Sequence, residues 1–138
     1  MIKILNKQEY LKIASQQTFK KKDNREANEF GCSSAMNCII NASKTDEIFF
    51  THSLQDKVTF VGSISKDGAL TFFVTNHLSR TNAHMAVREI KEALVQIKKR
   101  YKQIYVRVVN WYYEANRFVK LCGFELNKET MFYKIYRI

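Results

Sequence analysis

Residues 110–126, NWYYEANRFVKLCGFEL, gather most of the side chains that could do chemistry. Tyr112 and Tyr113 carry hydroxyls that could transfer a proton, and Cys122 carries a thiol that attacks only as the thiolate. No motif ties a histidine to Cys122, so a buried packing cysteine is the favoured interpretation. The apolar spacing is helical up to a Gly-Phe pair. We therefore predict an amphipathic helix that ends at the glycine.

The chain is basic, and aromatic residues lie beside some of its positive charges. It has 23 Lys and Arg against 13 Asp and Glu, a net charge of +10. Such a charge attracts the phosphates of nucleic acids, nucleotide cofactors or membrane surfaces, and it also serves solubility alone. Trp111 and its two neighbouring tyrosines lie between Arg107 and Arg117, which offers base stacking beside phosphate-binding groups. Nucleic-acid binding therefore stays open at this point.

Length and composition indicate one domain, residues 1–138, because 46% apolar residues can build a single core. No apolar run is long enough to span a membrane, and residues 1–15 lack the pattern of a secretory signal. The odd cysteine count, with no close pair, argues against a disulfide framework and against zinc. No metal site is predicted, and the expected compartment is a reducing cytoplasm.

The first third of the chain is predicted to hold one strand and two helices joined by an exposed charged turn. Residues 2–5 form the strand, residues 7–18 and 27–42 form the helices, and residues 19–26 form the turn. Gly31 weakens the second helix of this pair.

The middle of the chain is rich in β-branched and aromatic residues and predicts a three-stranded antiparallel meander over 47–54, 57–65 and 69–76. Asp67-Gly68 separates the last two strands and tolerates positive φ at both central turn positions. Gln55-Asp56 could form the other tight turn.

A long amphipathic helix from Asn82 to about Tyr101 follows, and then a buried strand over 103–109. Residues 131–138 alternate and end the chain as a strand or hairpin. A strand, a helix and a second strand form a crossover unit, so strands 69–76 and 103–109 are predicted to be parallel neighbours.

This element order, with Ala115 and Gly123-Phe124 closing the helix near the C-terminus, resembles the GNAT acetyltransferase superfamily. Asn110 stands one or two residues earlier than the Asn of that closing motif. The resemblance implies an α/β fold, a GNAT-like mixed sheet with splayed central parallel strands, flanked by helices. In that superfamily the gap between the splayed strands receives acyl-CoA.

Three segments are also similar to a group of tailed-phage proteins with a GNAT-like fold, related to the small internal virion protein of podophages. They are Val61–Leu78, Val87–Leu94 and Ala115–Phe124. This similarity implies a phage-type protein in the host cytoplasm or the virion, with a host protein or nucleic acid as a possible partner.

The GNAT resemblance implies acetyl-CoA as the cofactor and an amine as the acceptor. Backbone groups of a strand edge would hold the pantetheine arm, the loop before the long helix would hold the pyrophosphate, and Asn110 belongs to the closing motif. The strand-edge residues are Phe73, Val74 and Thr75, and the loop residues are Arg80, Thr81, Asn82, Ala83, His84 and Met85.

The sequence departs from the GNAT pattern in two places. Ala83 and Met85 stand where the phosphate loop usually has glycine or another small residue, and glycine there supplies positive φ. Val119 stands where many members have the tyrosine that protonates the leaving thiolate. For the base, the resemblance leaves Glu47 and Glu114 as the nearest carboxylates.

Two functions therefore remain open. One is an acyl-CoA-dependent N-acetyltransferase-like protein of phage type, for which we expect weak activity and little or no transfer to generic amines because Val119 has no hydroxyl. The other is a catalytically inactive GNAT-fold phage protein that binds a host protein or nucleic acid through its basic surface.

Overall fold

The computed structural model describes all 138 residues as one seven-stranded mixed sheet with five helices, in the strand order β1-β2-β3-β4-β5-β7-β6. The strands are β1 Ile2–Leu5, β2 Asp46–Leu54, β3 Lys57–Ser65, β4 Ala69–Val74, β5 Tyr105–Val109, β6 Glu125–Glu129 and β7 Tyr133–Arg137. The helices are α1 Lys7–Ser15, α2 Lys21–Glu29, α3 Ala35–Ser43, α4 Ala83–Lys98 and α5 Tyr113–Leu121.

Strands β4 and β5 form the only parallel pair in the sheet, and α4 connects them, as the crossover pattern predicted. Their pairing covers only Ala69 with Tyr105 and Leu70 with Val106. Beyond these two pairs the strands separate, and we call the gap between Thr71–Val74 and Arg107–Val109 the fork. The predicted fold, a GNAT-like mixed sheet with splayed central parallel strands, is confirmed.

The predicted meander β2-β3-β4 and the tight turn at Gln55-Asp56 are confirmed, but the expected positive φ at both Asp67 and Gly68 is wrong. Gln55 and Asp56 both have positive φ, 52° and 63°, which is the conformation of a two-residue hairpin turn. The β3–β4 loop instead has three residues, 66–68, and only Gly68 has positive φ, at 90°.

The predicted exposed turn over 19–26 is wrong, because most of it is the helix α2. Asp23 and Glu26 are only 2% and 7% exposed, since their spacing of three residues, with Ala27, directs them to the side of the helix that packs on the sheet. Because residues 19–26 are mostly charged, the sequence predicted solvent exposure and not a helix with a buried side.

The predicted single helix over 27–42 is also wrong. Gly31, at φ 88°, follows the end of α2, and α3 begins separately with the Ser34 side chain accepting from the Asn37 N–H. A glycine with positive φ is a common helix stop, so the break has a local cause.

Cys32 and Cys38 form a disulfide, so the expectation that the cysteines would stay unpaired is wrong. The chain reversal between α2 and α3 brings their Cα atoms to 5.6 Å, which a separation of six residues does not reveal. Cys122 is the free, buried cysteine. The cysteine pattern therefore no longer supports a reducing compartment.

Helices cover both faces of the sheet. On one face α1, α2 and α3 pack over a cluster that includes Tyr10, Ile39 and Phe73. On the other face α4 and α5 pack over a larger cluster centred on residues such as Ile90 and Val119. None of the helices is long and apolar enough to cross a membrane.

We predict that Gly68→Ala destabilises the protein by about 3 kcal/mol or more. A Cβ at Gly68 would lie 2.2 Å from the carbonyl oxygen of Gln103, and the backbone has positive φ. Gly31→Ala is the matched control, because its φ is also positive but its Cβ would meet nothing within 4 Å. That change is expected to cost only about 1–2 kcal/mol. If urea unfolding shows that Gly68→Ala and Gly31→Ala lose the same unfolding free energy, the close contact at Gly68 is contradicted.

Candidate functional site

The edge of β4 that faces the fork is covered by the segment that leads into α2. The Lys20 N–H donates to the Val74 carbonyl at 3.1 Å, and the Asn76 N–H donates to the Thr18 carbonyl at 3.1 Å. Phe19 pairs antiparallel with Thr75 between these bonds. Residues 18–20 thus extend the sheet along the end of β4.

Two carboxylates of α2 bind backbone and hydroxyl donors at the fork. Asp23 accepts from the Val74 N–H through one oxygen and from the Tyr112 hydroxyl through the other. Glu26 accepts from the Val109 N–H at 3.0 Å. Helix α2 therefore joins the two diverging strands, because Val74 belongs to β4 and Val109 to β5.

Burial raises the pKa of both carboxyls. The pKa of Asp23 rises to about 6, although the Tyr112 hydroxyl, the Val74 N–H and the charge of Lys20 oppose the rise. The pKa of Glu26 rises to about 7, against the hydrogen bond from the Val109 N–H. Two buried acids that titrate near neutrality are unusual and mark candidate functional sites.

A cavity of about 170 Å³ lies where the two strands begin to diverge. Glu26, Phe30, Phe73, Arg107 and the Cys32–Cys38 disulfide are among its lining groups. The Arg107 guanidinium lies 3.9 Å from the centre of the Phe30 ring and 5.2 Å from that of Tyr133. The cavity thus combines one carboxylate and one guanidinium with aromatic and apolar walls.

The loop before α4 is shaped by the Asn82 side chain. Asn82 accepts from the Ser79 N–H at 2.8 Å and donates to the His77 carbonyl at 3.0 Å. The Ser79 and Thr81 hydroxyls lie 2.8 Å apart, so they also bond within the loop. Asn82 therefore stabilises the loop and does not cap the helix with its side chain.

This loop leaves backbone donors available for an anion. The N–H groups of Thr81, Asn82 and His84 have no acceptor within the protein, whereas the Ala83 N–H donates to the Ser79 carbonyl at 3.0 Å. Free N–H groups at a helix N-terminus, reinforced by the helix dipole, are suited to phosphate.

Positive side chains lie near this loop and around Glu114. Lys22 forms an ion pair with Glu114 at 2.7 Å. The pKa of Glu114 lies below its usual value, chiefly because of Lys22 and to a smaller extent because of Arg80. Arg80, His84 and Met85 are exposed. Helix α2 therefore contacts the first turn of α5 through Lys22 and Glu114, and the charge of Arg80 acts on the same carboxyl.

Among the predicted strand-edge residues, only Val74 directs its backbone groups into the fork. The Thr75 N–H donates to the Thr59 carbonyl in β3, at 3.0 Å, and Phe73, two residues earlier, pairs with Val61 of the same strand, so its backbone groups also face β3. Asn110 holds the β6–β7 turn, since its side-chain amide donates to the carbonyls of Thr130 and Met131, both at 3.0 Å.

The predicted catalytic candidates are widely separated. Glu47 is the second residue of β2, at the opposite end of the strands from Val74, and accepts from the Tyr101 hydroxyl at 2.6 Å. Tyr113 is 70% exposed. Cys122 is buried, and burial raises the pKa of its thiol to about 12, so the thiol is protonated at neutral pH. Of the four, only Tyr112 lies at the fork, through its bond to Asp23.

Sequence reasoning missed Asp23 and Glu26, which are the acidic groups that the fold brings into the fork. The available signal was weak: two acids three residues apart, followed by Ala27, in an otherwise basic segment. Helical periodicity would have placed them on one side of a helix, but nothing in the sequence shows that this side faces a gap between strands.

The sequence matches no protein-family model and no curated protein. Solved structures share its fold. The GNAT domain of S. lividans PAT superposes with a TM-score of 0.69 at 8% identity, over 99% of this chain and 88% of that one. A variant of the SpeG spermidine N-acetyltransferase from Vibrio cholerae has a TM-score of 0.64 at 13% identity, over 100% and 92%.

The Campylobacter jejuni N-acetyltransferase PseH, solved in complex with acetyl coenzyme A, has a TM-score of 0.56 at 14% identity. The similarity covers 100% of this chain and 98% of that chain. At these identities the comparisons establish the fold, which is GNAT-like, and nothing about this chain's activity.

Val119, which stands at the position of the usual acid, is 2% exposed and packs in the core beneath α4 and α5. We predict that Val119→Tyr destabilises the protein by about 1–3 kcal/mol, because the larger ring overpacks this core. Urea unfolding measures the cost. A variant as stable as the wild type would show that space is available beside Val119.

We predict that Glu26 makes the protein less stable at high pH. Its folded pKa, about 7, lies above its ordinary value of 4.5, so the stabilisation is complete below pH 4.5 and is lost as pH rises through 7. Between pH 5 and pH 8 the wild type should lose about 2–3 kcal/mol more unfolding free energy than Glu26→Gln. Gln keeps an acceptor for the Val109 N–H. Urea unfolding at each pH measures the unfolding free energy. If that free energy changes with pH equally in the wild type and in Glu26→Gln, the raised pKa of Glu26 is contradicted.

Proposed function

We propose that this protein is an acyl-CoA-dependent N-acyltransferase that transfers an acetyl or similar group to an amine. The observation that carries the proposal is the buried Glu26 carboxyl, which lines a cavity where two parallel strands diverge. A base with a pKa near the working pH is the most effective general base, and the pKa of Glu26 is about 7.

The loop before α4 supports the binding half of the proposal. The N–H groups of Thr81, Asn82 and His84 would hold the pyrophosphate, with Arg80 adding positive charge. Ala83 and Met85 replace the usual small residues of this loop, but the free N–H groups remain. When bound, acyl-CoA supplies the acyl group as a reactive thioester.

Glu26 and Tyr112 have complementary roles in the proposed reaction. Glu26 takes the proton from the amine as the new C–N bond forms at the thioester carbon and the C–S bond breaks. The Tyr112 hydroxyl supplies a hydrogen bond to the departing sulfur. A thiolate, with an ordinary pKa near 8.5, leaves without a strong acid, so a valine at position 119 does not prevent transfer.

A second candidate function has its own supporting observation. Both backbone groups of Val74 that would hold the pantetheine arm are bonded to α2 and the segment before it. A GNAT-like fold whose strand edge is closed in this way would act as a binding protein. Its basic surface would then engage a host protein or nucleic acid. The phage-type origin and the location in the host cytoplasm or virion, which the sequence suggested, apply to both candidates.

Acetyl-CoA binding separates the two candidates, since a ligand that binds only the folded state raises its melting temperature. We predict that acetyl-CoA stabilises the protein and that Arg80→Ala weakens its binding about tenfold, the worth of one charge-assisted hydrogen bond. Arg100→Ala, at the opposite end of α4, removes the same charge and should leave the affinity unchanged. Titration calorimetry measures all three proteins.

If Arg80→Ala and Arg100→Ala lose the same affinity for acetyl-CoA, the effect comes from net charge, and the loop before α4 is not the phosphate-binding site. No stabilisation of the wild type by acetyl-CoA would favour the binding-protein alternative.

A further inference from the structure

The Asp23 side chain accepts hydrogen bonds from two donors that lie at the fork. Its carboxylate accepts from the Val74 N–H and from the Tyr112 hydroxyl, and it is 2% exposed. A bound thioester would need the same two kinds of donor, a backbone N–H for its carbonyl oxygen and a hydroxyl for its sulfur. Asp23 therefore fills a two-donor site from within the chain.

In the first turn of α2, Asp23 supplies the side-chain hydrogen bonds to the fork. The N-cap residue, Lys20, makes no side-chain capping bond, and Asp23 is the only acid in the first turn. Lys21 and Lys22 place positive charge at the positive end of the helix dipole, which is unfavourable. Loss of the Asp23 bonds would therefore leave residues 21–23 without a side-chain bond to the fork, and residues 18–20 would be held by the Phe19–Thr75 bridge and the buried Phe19 ring.

We infer that residues 18–23 form a latch, in which Asp23 acts as an internal ligand that acyl-CoA must displace to reach the Val74 N–H and the Tyr112 hydroxyl. The inference rests on the proposed function. Opening requires residues 18–23 to leave β4, while the following turn, with Glu26 bound to the Val109 N–H, stays in place.

The charges around the latch favour its release by a polyanion. Lys22 on the latch is paired with Glu114, and the charge of Arg80 also lowers the pKa of that carboxyl. Phosphates bound at the loop before α4 would compete with Glu114 for Lys22. Binding at the loop and opening of the latch are thereby coupled through one exposed ion pair.

The first experiment compares Asp23→Ala with Glu29→Ala by calorimetric titration with acetyl-CoA. Both variants remove one carboxylate from α2, but Glu29 is exposed and makes no bond at the fork. An apparent dissociation constant rises as the competent fraction falls, so removal of the latch should tighten acetyl-CoA binding at least about tenfold. Glu29→Ala should stay within about twofold of the wild type.

The second experiment uses the wild type and does not depend on how well Asp23→Ala folds. Amide hydrogen exchange is followed by mass spectrometry with and without acetyl-CoA. The latch, residues 18–23, should exchange faster when acetyl-CoA is bound, while the end of β4 should exchange more slowly.

The outcomes distinguish the latch from the proposed function. If acetyl-CoA binds the wild type and residues 18–23 keep their exchange rates, the latch is refuted and the proposed function stands. If binding to folded Asp23→Ala equals that to the wild type, the latch is refuted as well. If acetyl-CoA binds neither the wild type nor folded Asp23→Ala, the proposed function fails and the latch fails with it.

Discussion

The divergence of β4 and β5 is the constraint on which the rest of the structure depends. Two strands that separate after two residue pairs leave backbone donors inside the protein without a sheet partner. A buried N–H without an acceptor costs free energy comparable to a lost hydrogen bond. Asp23 accepts from the Val74 N–H and Glu26 accepts from the Val109 N–H. These two hydrogen bonds hold α2 across the fork.

That solution has an electrostatic cost, because both carboxyls lose solvent on burial. Their pKa values rise towards neutrality, and the protein holds two acids whose charge depends on pH in the range where proteins usually work. The same burial that destabilises ionised Glu26 gives it the pKa of an effective base. The stability of the fork and the chemistry proposed for it therefore have one physical origin.

The fork and the loop before α4 make different demands on a ligand. The loop offers unpaired N–H groups at Thr81, Asn82 and His84 without any rearrangement. The end of β4 offers its groups only after Asp23 and Lys20 leave Val74. A ligand with phosphates at one end and a thioester at the other would thus meet a ready subsite first and a closed one second.

The sequence by itself determined the middle of the sheet, from β2 to β5. Alternating apolar strands, the turn residues around Gly68 and the crossover through α4 are local patterns that predicted the meander and the parallel pair. It misjudged residues 19–26, where charge suggested solvent, and Cys32 with Cys38, which only a chain reversal brings together. The site was decided by the tertiary structure alone. Asp23 and Glu26 lie three residues apart on α2, but they are far in sequence from Tyr112 and Val109, and these groups meet because packing places α2 over a gap that no local pattern records.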